Sequence, residues 1–119
     1  METKFYTAAL IGTGRIGFSL GFDKKREQPA SHTMALLENK RIRLVAAADT
    51  DEEKLAEWKK YVDRHSKTGT QVFSSSDELY KNVNPDIITI AVNFIQDYVF
   101  TAKSLKRTVR TVFCMTEHI

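Results

Sequence analysis

Gly12-Thr13-Gly14-Arg15-Ile16-Gly17 is the stretch on which the fold turns. Its spacing, G-x-G-x-x-G, is a weak signal alone and gains weight between a buried strand and a helix. It stands directly after Phe5-Tyr6-Thr7-Ala8-Ala9-Leu10-Ile11, a short and largely apolar run. Read in that context, the motif closes a first strand and opens a helix. Gly12 then allows the tight turn out of the strand, Gly14 leaves room for a pyrophosphate, and Gly17 lets the helix lie close on the strand. The helix N-terminus offers unpaired N–H groups and the positive end of its dipole to phosphates. Arg15 and Ile16 would project over the same ligand. The alternative is a tight turn that binds nothing.

Moving outward, similar apolar runs recur. They cover Ile42 to Ala48, Ile87 to Val92 and Val109 to Met115, with Gln71-Val72-Phe73 as a shorter candidate. Runs of this length suit strands buried on both faces, as in a parallel sheet. Helical patterns lie between them. Leu55, Trp58 and Val62 share one face behind Thr50-Asp51-Glu52-Glu53, which reads as a capping box with Thr50 as N-cap and Glu53 reaching back. Ser75-Ser76-Asp77-Glu78 repeats the device before Leu79, Tyr80 and Val83. Ile95, Tyr98, Ala102 and Leu105 form another stripe, and Met34 and Leu37 mark a helix from about Ser31 to Asn39. Phe18 to Pro29 is irregular. Strands alternating with helices predict a doubly wound parallel α/β sheet (a Rossmann fold) with helices on both faces. Five strands in the order 3-2-1-4-5 are expected, with a ligand crevice at the switch between the first and fourth.

Asp49 ends the second run. An acid there accepts hydrogen bonds from an adenosine ribose and repels a 2′-phosphate, so NAD is favoured over NADP. The other reading of Asp49 is a cap for the following helix, a task that Thr50 already fits. Thr50 is also a candidate for cofactor contact. Asn93 leaves the fourth strand beside the expected nicotinamide ribose, where contact and helix capping are equally open. Val92 and Phe94 would line the same cleft.

The whole chain, 119 residues, is expected to form one domain. Hydrophobic residues make up 42% and charged residues 28%, which argues against wholesale disorder, collagen and coiled coil. No apolar run approaches the roughly 20 residues of a membrane span. With no signal-peptide layout at Met1-Glu2-Thr3-Lys4, a cytoplasmic location is the default. The net charge of +3 is mild and shows no basic stripe interleaved with aromatics, so nucleic acid is not an expected partner. One cysteine, Cys114, and three histidines argue against a disulfide or a structural metal site. Cys114 reads as a core thiol. His32 reads as a polar surface or capping residue at a helix start, with a role towards substrate as the lesser alternative. His65 reads as a structural residue at a helix end, and Lys24-Lys25-Arg26 as a solvated loop.

In order and spacing, these motifs resemble the N-terminal domain of the glucose–fructose oxidoreductase, inositol dehydrogenase and rhizopine-catabolism family (Gfo/Idh/MocA). The resemblance rests on Ala9 to Gly17, Leu44 to Asp49, Val72 to Leu79 and Pro85 to Val92, and spans essentially the whole chain. Lys25 to His32 looks like an insertion found in one branch of that family. The resemblance implies NAD(P)-dependent oxidation or reduction of sugars, cyclitols and related hydroxy compounds. It also implies a second α/β domain that supplies most of the substrate site, and this sequence ends at Ile119 without one. Two further departures concern the site. Val92-Asn93-Phe94-Ile95 carries no Thr-Pro or His where the family has them. Glu117-His118-Ile119 replaces the family's Glu-Lys-Pro, so the catalytic lysine cannot be carried over. The expectation is therefore a cofactor-binding domain that does not turn over substrate alone. The alternative is a stand-alone nucleotide-binding or protein-interaction module. Under either, the fifth strand is an edge that invites a homodimer.

Overall fold

A computed structural model of the chain describes residues 4–14, 17–25, 27–29, 31–66, 69–91 and 111–114. Its strands are β1 (Tyr6–Ile11), β2 (Ile42–Ala48), β3 (Gln71–Phe73), β4 (Ile87–Ile90) and β5 (Thr111–Cys114). Its helices are α1 (His32–Glu38), α2 (Glu52–His65) and α3 (Ser76–Asn82), with a 3-10 turn at Ser19–Phe22. The strands form one parallel sheet ordered β3-β2-β1-β4-β5, the predicted order. The predicted helix through Ile95 and Leu105 lies outside the described residues.

Caps set the helix limits. The Ser31 and Ser75 hydroxyls accept from the N–H groups of Met34 and Glu78 and start α1 and α3 where the sequence placed them. The cap of α2 differs from expectation. Asp51, not Thr50, is the N-cap, and its Oδ1 accepts from Glu53 N at 3.1 Å and Lys54 N at 3.2 Å. A carboxylate satisfies two orphan donors with one oxygen and adds a charge that suits the positive end of the helix. Thr50 is left exposed.

The two faces of the sheet carry separate cores. On one, Ala8, Leu10, Leu44 and Ala47 pack with Leu36 of α1 and with Leu55, Trp58 and Val62 of α2. On the other, Ala9, Ile11, Ala46, Ala48, Ile88 and Ile90 pack with Leu79 and Tyr80 of α3. Strict alternation would put Leu44 and Ala46 on one face. The β1–β2 register instead shifts between Ala8 and Ala9, whose partners are Leu44 and Ala46. Val45 is thus an extra residue that turns the end of β2 over, as a β-bulge does. This re-aims the strand end that carries Asp49.

Among the described residues, no helix is long and apolar enough to cross a membrane. A polar clasp holds the end of α2 to the start of β3. Asp63 Oδ1 accepts from Thr70 N at 3.0 Å and Thr70 Oγ1 at 2.7 Å, and Asp63 Oδ2 accepts from Lys59 Nζ at 2.9 Å. The Thr70 hydroxyl and the Lys59 ammonium hold the Asp63 carboxyl below the usual carboxylate range. A depressed folded-state pKa gives stability that is complete above the unfolded pKa, about 4, and is lost as pH falls through the folded value. Urea melts between pH 5 and pH 2 should therefore show a steeper fall in stability for the native chain than for Asp63→Asn. Equal slopes would exclude the clasp as a source of acid sensitivity.

Candidate functional site

The site is assembled from the carboxyl ends of the strands. β1 pairs with β2 on one side and with β4 on the other, so the strand order reverses beside β1. A crevice opens at such a point because the two flanking connections leave in opposite directions. The chain emerges from β1 at this switch point, at Gly12.

The three glycines of the turn differ in what the described residues demand of them. Gly12 has φ 98°, in the left-handed region that side chains disfavour. Its N–H donates to the Ala48 carbonyl at 2.9 Å, continuing the ladder to the last residue of β2. Gly17 is buried against the turn itself. A Cβ there would lie 2.1 Å from the Gly12 carbonyl oxygen and 3.3 Å from Ala91 Cβ, at the end of β4. Gly14 has neither constraint. A Cβ on Gly14 would meet nothing within 4 Å, and its φ is not positive. Nothing among the described residues requires glycine at 14, and the space beside it is open. This is the one position of the three that no contact with the described residues explains.

The helix expected to open at the motif falls partly on residues 15 and 16, outside the described residues. Past them, the Gly14 carbonyl accepts from Phe18 N at 2.9 Å and Ser19 N at 3.1 Å. A four-residue 3-10 turn, Ser19–Phe22, follows, and the next described helix starts at His32. The glycine turn is fastened from behind. Thr33 N and Thr33 Oγ1 both donate to the Gly17 carbonyl, at 2.9 Å and 2.6 Å. Trp58 Nε1 donates to Thr33 Oγ1 at 3.0 Å, and Thr33 and Trp58 are fully buried. This relay joins α2, α1 and the glycine turn, and no local pattern in the sequence signals it.

Asp49 is brought to the turn as expected, with bonds that were not foreseen. Its Oδ2 accepts from Thr13 N and from Thr13 Oγ1, each at 2.8 Å. Its Oδ1 accepts from Asp51 N at 2.9 Å. Asp49 does support the start of α2, through the cap residue, while facing the glycine turn. Among the proposed contact residues, Gly12, Gly14, Gly17 and Asp49 thus converge, and Thr50 is exposed next to Asp49. Arg15, Ile16, Val92, Asn93 and Phe94 lie outside the described residues.

The remaining candidates fall elsewhere. His32 is the first residue of α1. Burial holds its imidazole below the ordinary histidine range, and Nε2 is enclosed with no hydrogen-bond partner among the described residues. His65 ends α2, with Nδ1 2.9 Å from the Tyr61 carbonyl and its ring stacked on Tyr61, the structural role expected of it. Cys114 is the last residue of β5, its backbone in register with Ile90. Among the described residues, no three His, Cys, Asp or Glu side chains gather as metal ligands do.

No family model matches the chain, and no curated protein matches it by sequence. Solved structures do match its fold. One is a myo-inositol 2-dehydrogenase from Lactobacillus plantarum, at 23% identity and a TM-score of 0.71, covering 93% of this chain and 28% of that one. A second is a myo-inositol dehydrogenase from Corynebacterium glutamicum, at 21% identity and a TM-score of 0.70, covering 92% of this chain and 27% of that one. A third is GenD2 from gentamicin A biosynthesis, solved in complex with NAD, at 16% identity and a TM-score of 0.69, covering 94% and 28%. At these identities the likeness is one of fold. The chain spans little more than a quarter of the length of these neighbours.

Proposed function

We propose that residues 1–119 form the dinucleotide-binding domain of an NAD-dependent oxidoreductase of the Gfo/Idh/MocA type. The observation that carries this reading is Gly14. The fold demands glycine at 12 and 17 for its own geometry, whereas a Cβ at position 14 would meet none of the described residues, beside the switch point between β1 and β4. A pyrophosphate passing close to the backbone explains that missing side chain. Gly12, Gly14 and Gly17 shape the cradle, with Arg15 and Ile16 beside it in sequence. Asp49, with Thr50 next to it, receives the adenosine ribose, and Val92 and Asn93 follow β4 towards the nicotinamide half. Asp49 repels a 2′-phosphate and so selects NAD over NADP.

A bound nicotinamide would supply the hydride chemistry. The chain's own residues bind and orient it. The dehydrogenase neighbours support sugar- or cyclitol-type hydroxy compounds as the substrate class. At the margin of the described sheet, β5 offers an edge for a second copy, which would register as a doubled mass in sedimentation.

The test is a titration of the purified chain with NADH and with NADPH, repeated on Gly14→Ala. The native chain should bind NADH saturably and more tightly than NADPH. Gly14→Ala should keep its melting temperature within a few degrees, since the added methyl meets no atom of the described residues, and lose NADH affinity by about tenfold or more. Binding untouched by the methyl would remove the pyrophosphate from this turn. No binding of either nucleotide at millimolar levels would leave a turn without a ligand, and the interaction-module reading would take its place.

A further inference from the structure

Thr13 is 2% exposed, so it offers almost no surface to a ligand. Yet both of its donors are spent on one atom, Asp49 Oδ2, at 2.8 Å each. A hydroxyl alone could have bonded many partners in a turn. Two bonds from one residue to one oxygen do something more specific, because the carboxylate torsion is intrinsically broad and the single local bond, from Asp51 N, holds only Oδ1.

An ionised carboxylate has about four acceptor positions. In Asp49, Oδ2 takes two donors from Thr13 and Oδ1 takes one from Asp51 N, all three at 2.8 to 2.9 Å. Among the described residues the remaining capacity therefore sits on Oδ1. Asp49 is half-buried, so that capacity is not sealed in the core.

We infer that Thr13 is a positioning residue for nucleotide selectivity, pinning Asp49 Oδ2 so that Oδ1 is the oxygen left to receive a ribose hydroxyl. The inference rests on the assignment of Asp49 to the adenosine ribose and adds a residue that acts on it from inside the protein. The Thr13 N–H donor survives any side-chain change, so the hydroxyl contribution can be isolated. Without the hydroxyl, one donor holds Oδ2 and the carboxylate plane is freer to turn. The cost falls on ligands that use the ribose hydroxyl and spares those that do not.

The experiment measures four affinities by titration: the native chain and Thr13→Val, each with NADH and with its analogue lacking the adenosine 2′-hydroxyl. Thr13→Val should weaken NADH about three- to tenfold, the scale of one hydrogen bond to a charged group acting indirectly. It should leave the 2′-deoxy analogue within about twofold, so that the discrimination between the two ligands shrinks. Thr13→Ser, which keeps the hydroxyl, should restore the native discrimination and guards against a valine variant that folds badly. Equal weakening of both ligands by Thr13→Val would overturn the positioning role and leave Thr13 as a brace for the turn. Unchanged affinity for NADH would overturn it as well. Failure of the native chain to bind NADH is a distinct result, which removes the cofactor assignment and the positioning role with it.

Discussion

Gly17→Ala should abolish the cooperative fold or lower its melting temperature by more than about 10 °C. The added Cβ would stand 2.1 Å from the Gly12 carbonyl oxygen, which is a backbone atom and cannot swing aside. Gly12 is itself anchored through its N–H to Ala48, and Ala91 closes the other side at 3.3 Å. Relief would require the turn to leave the Gly17 carbonyl's two bonds from Thr33. Overpacking in a well-packed site costs about 1–3 kcal/mol, and a clash with fixed backbone belongs at or above the top of that range. Calorimetry on Gly17→Ala and Gly14→Ala side by side is the sharpest form of the comparison. The same chemical change, three residues apart in a single loop, should be ruinous in one case and harmless to stability in the other. If the two variants melt together, the packing of Gly17 on the turn is not as described.

Trp58→Ala is expected to cost about 3–5 kcal/mol, the range for removing a large buried aromatic side chain. Trp58 is completely enclosed between the sheet and α2, in the core that also holds Leu10, Leu44 and Val62. Against a typical total of 5–15 kcal/mol, that loss leaves a domain of this size near the unfolding threshold. Trp58→Phe separates packing from hydrogen bonding. It keeps much of the volume and removes the Nε1 donor, so the buried Thr33 hydroxyl loses a partner at about 1–2 kcal/mol. Denaturant melts of both variants check the expectation. A Trp58→Phe variant as unstable as Trp58→Ala would mean that the relay, not the volume, dominates.

Much of the architecture was legible because it is written in local chemistry. The Ser31 and Ser75 caps, the apolar runs and the glycine spacing each depend on residues within a few positions of one another. The features that escaped the sequence depend on long-range meetings or on close competition. Thr50 and Asp51 are both competent caps, and the choice fell to the carboxylate because it can serve two N–H groups at once. The extra residue at Val45 appears only when β2 is laid against β1. The bonds from Thr13 to Asp49 span 36 positions, and that from Trp58 to Thr33 spans 25. Of the candidate site, Gly12, Gly14, Gly17 and Asp49 were recognisable in the sequence, because the glycine spacing and an acid closing an apolar run are local patterns. The tie that orients Asp49 was not, because a threonine in a loop has many possible partners.

Trp58 is also the sole tryptophan of the chain. Its indole is sealed from solvent, and its N–H leads through one hydroxyl to the Gly17 carbonyl. Indole emission follows the polarity and hydrogen bonding of its surroundings, so the molecule carries a single internal chromophore wired to the turn. A shift of that turn would change the colour or yield of light from a residue that no ligand can reach.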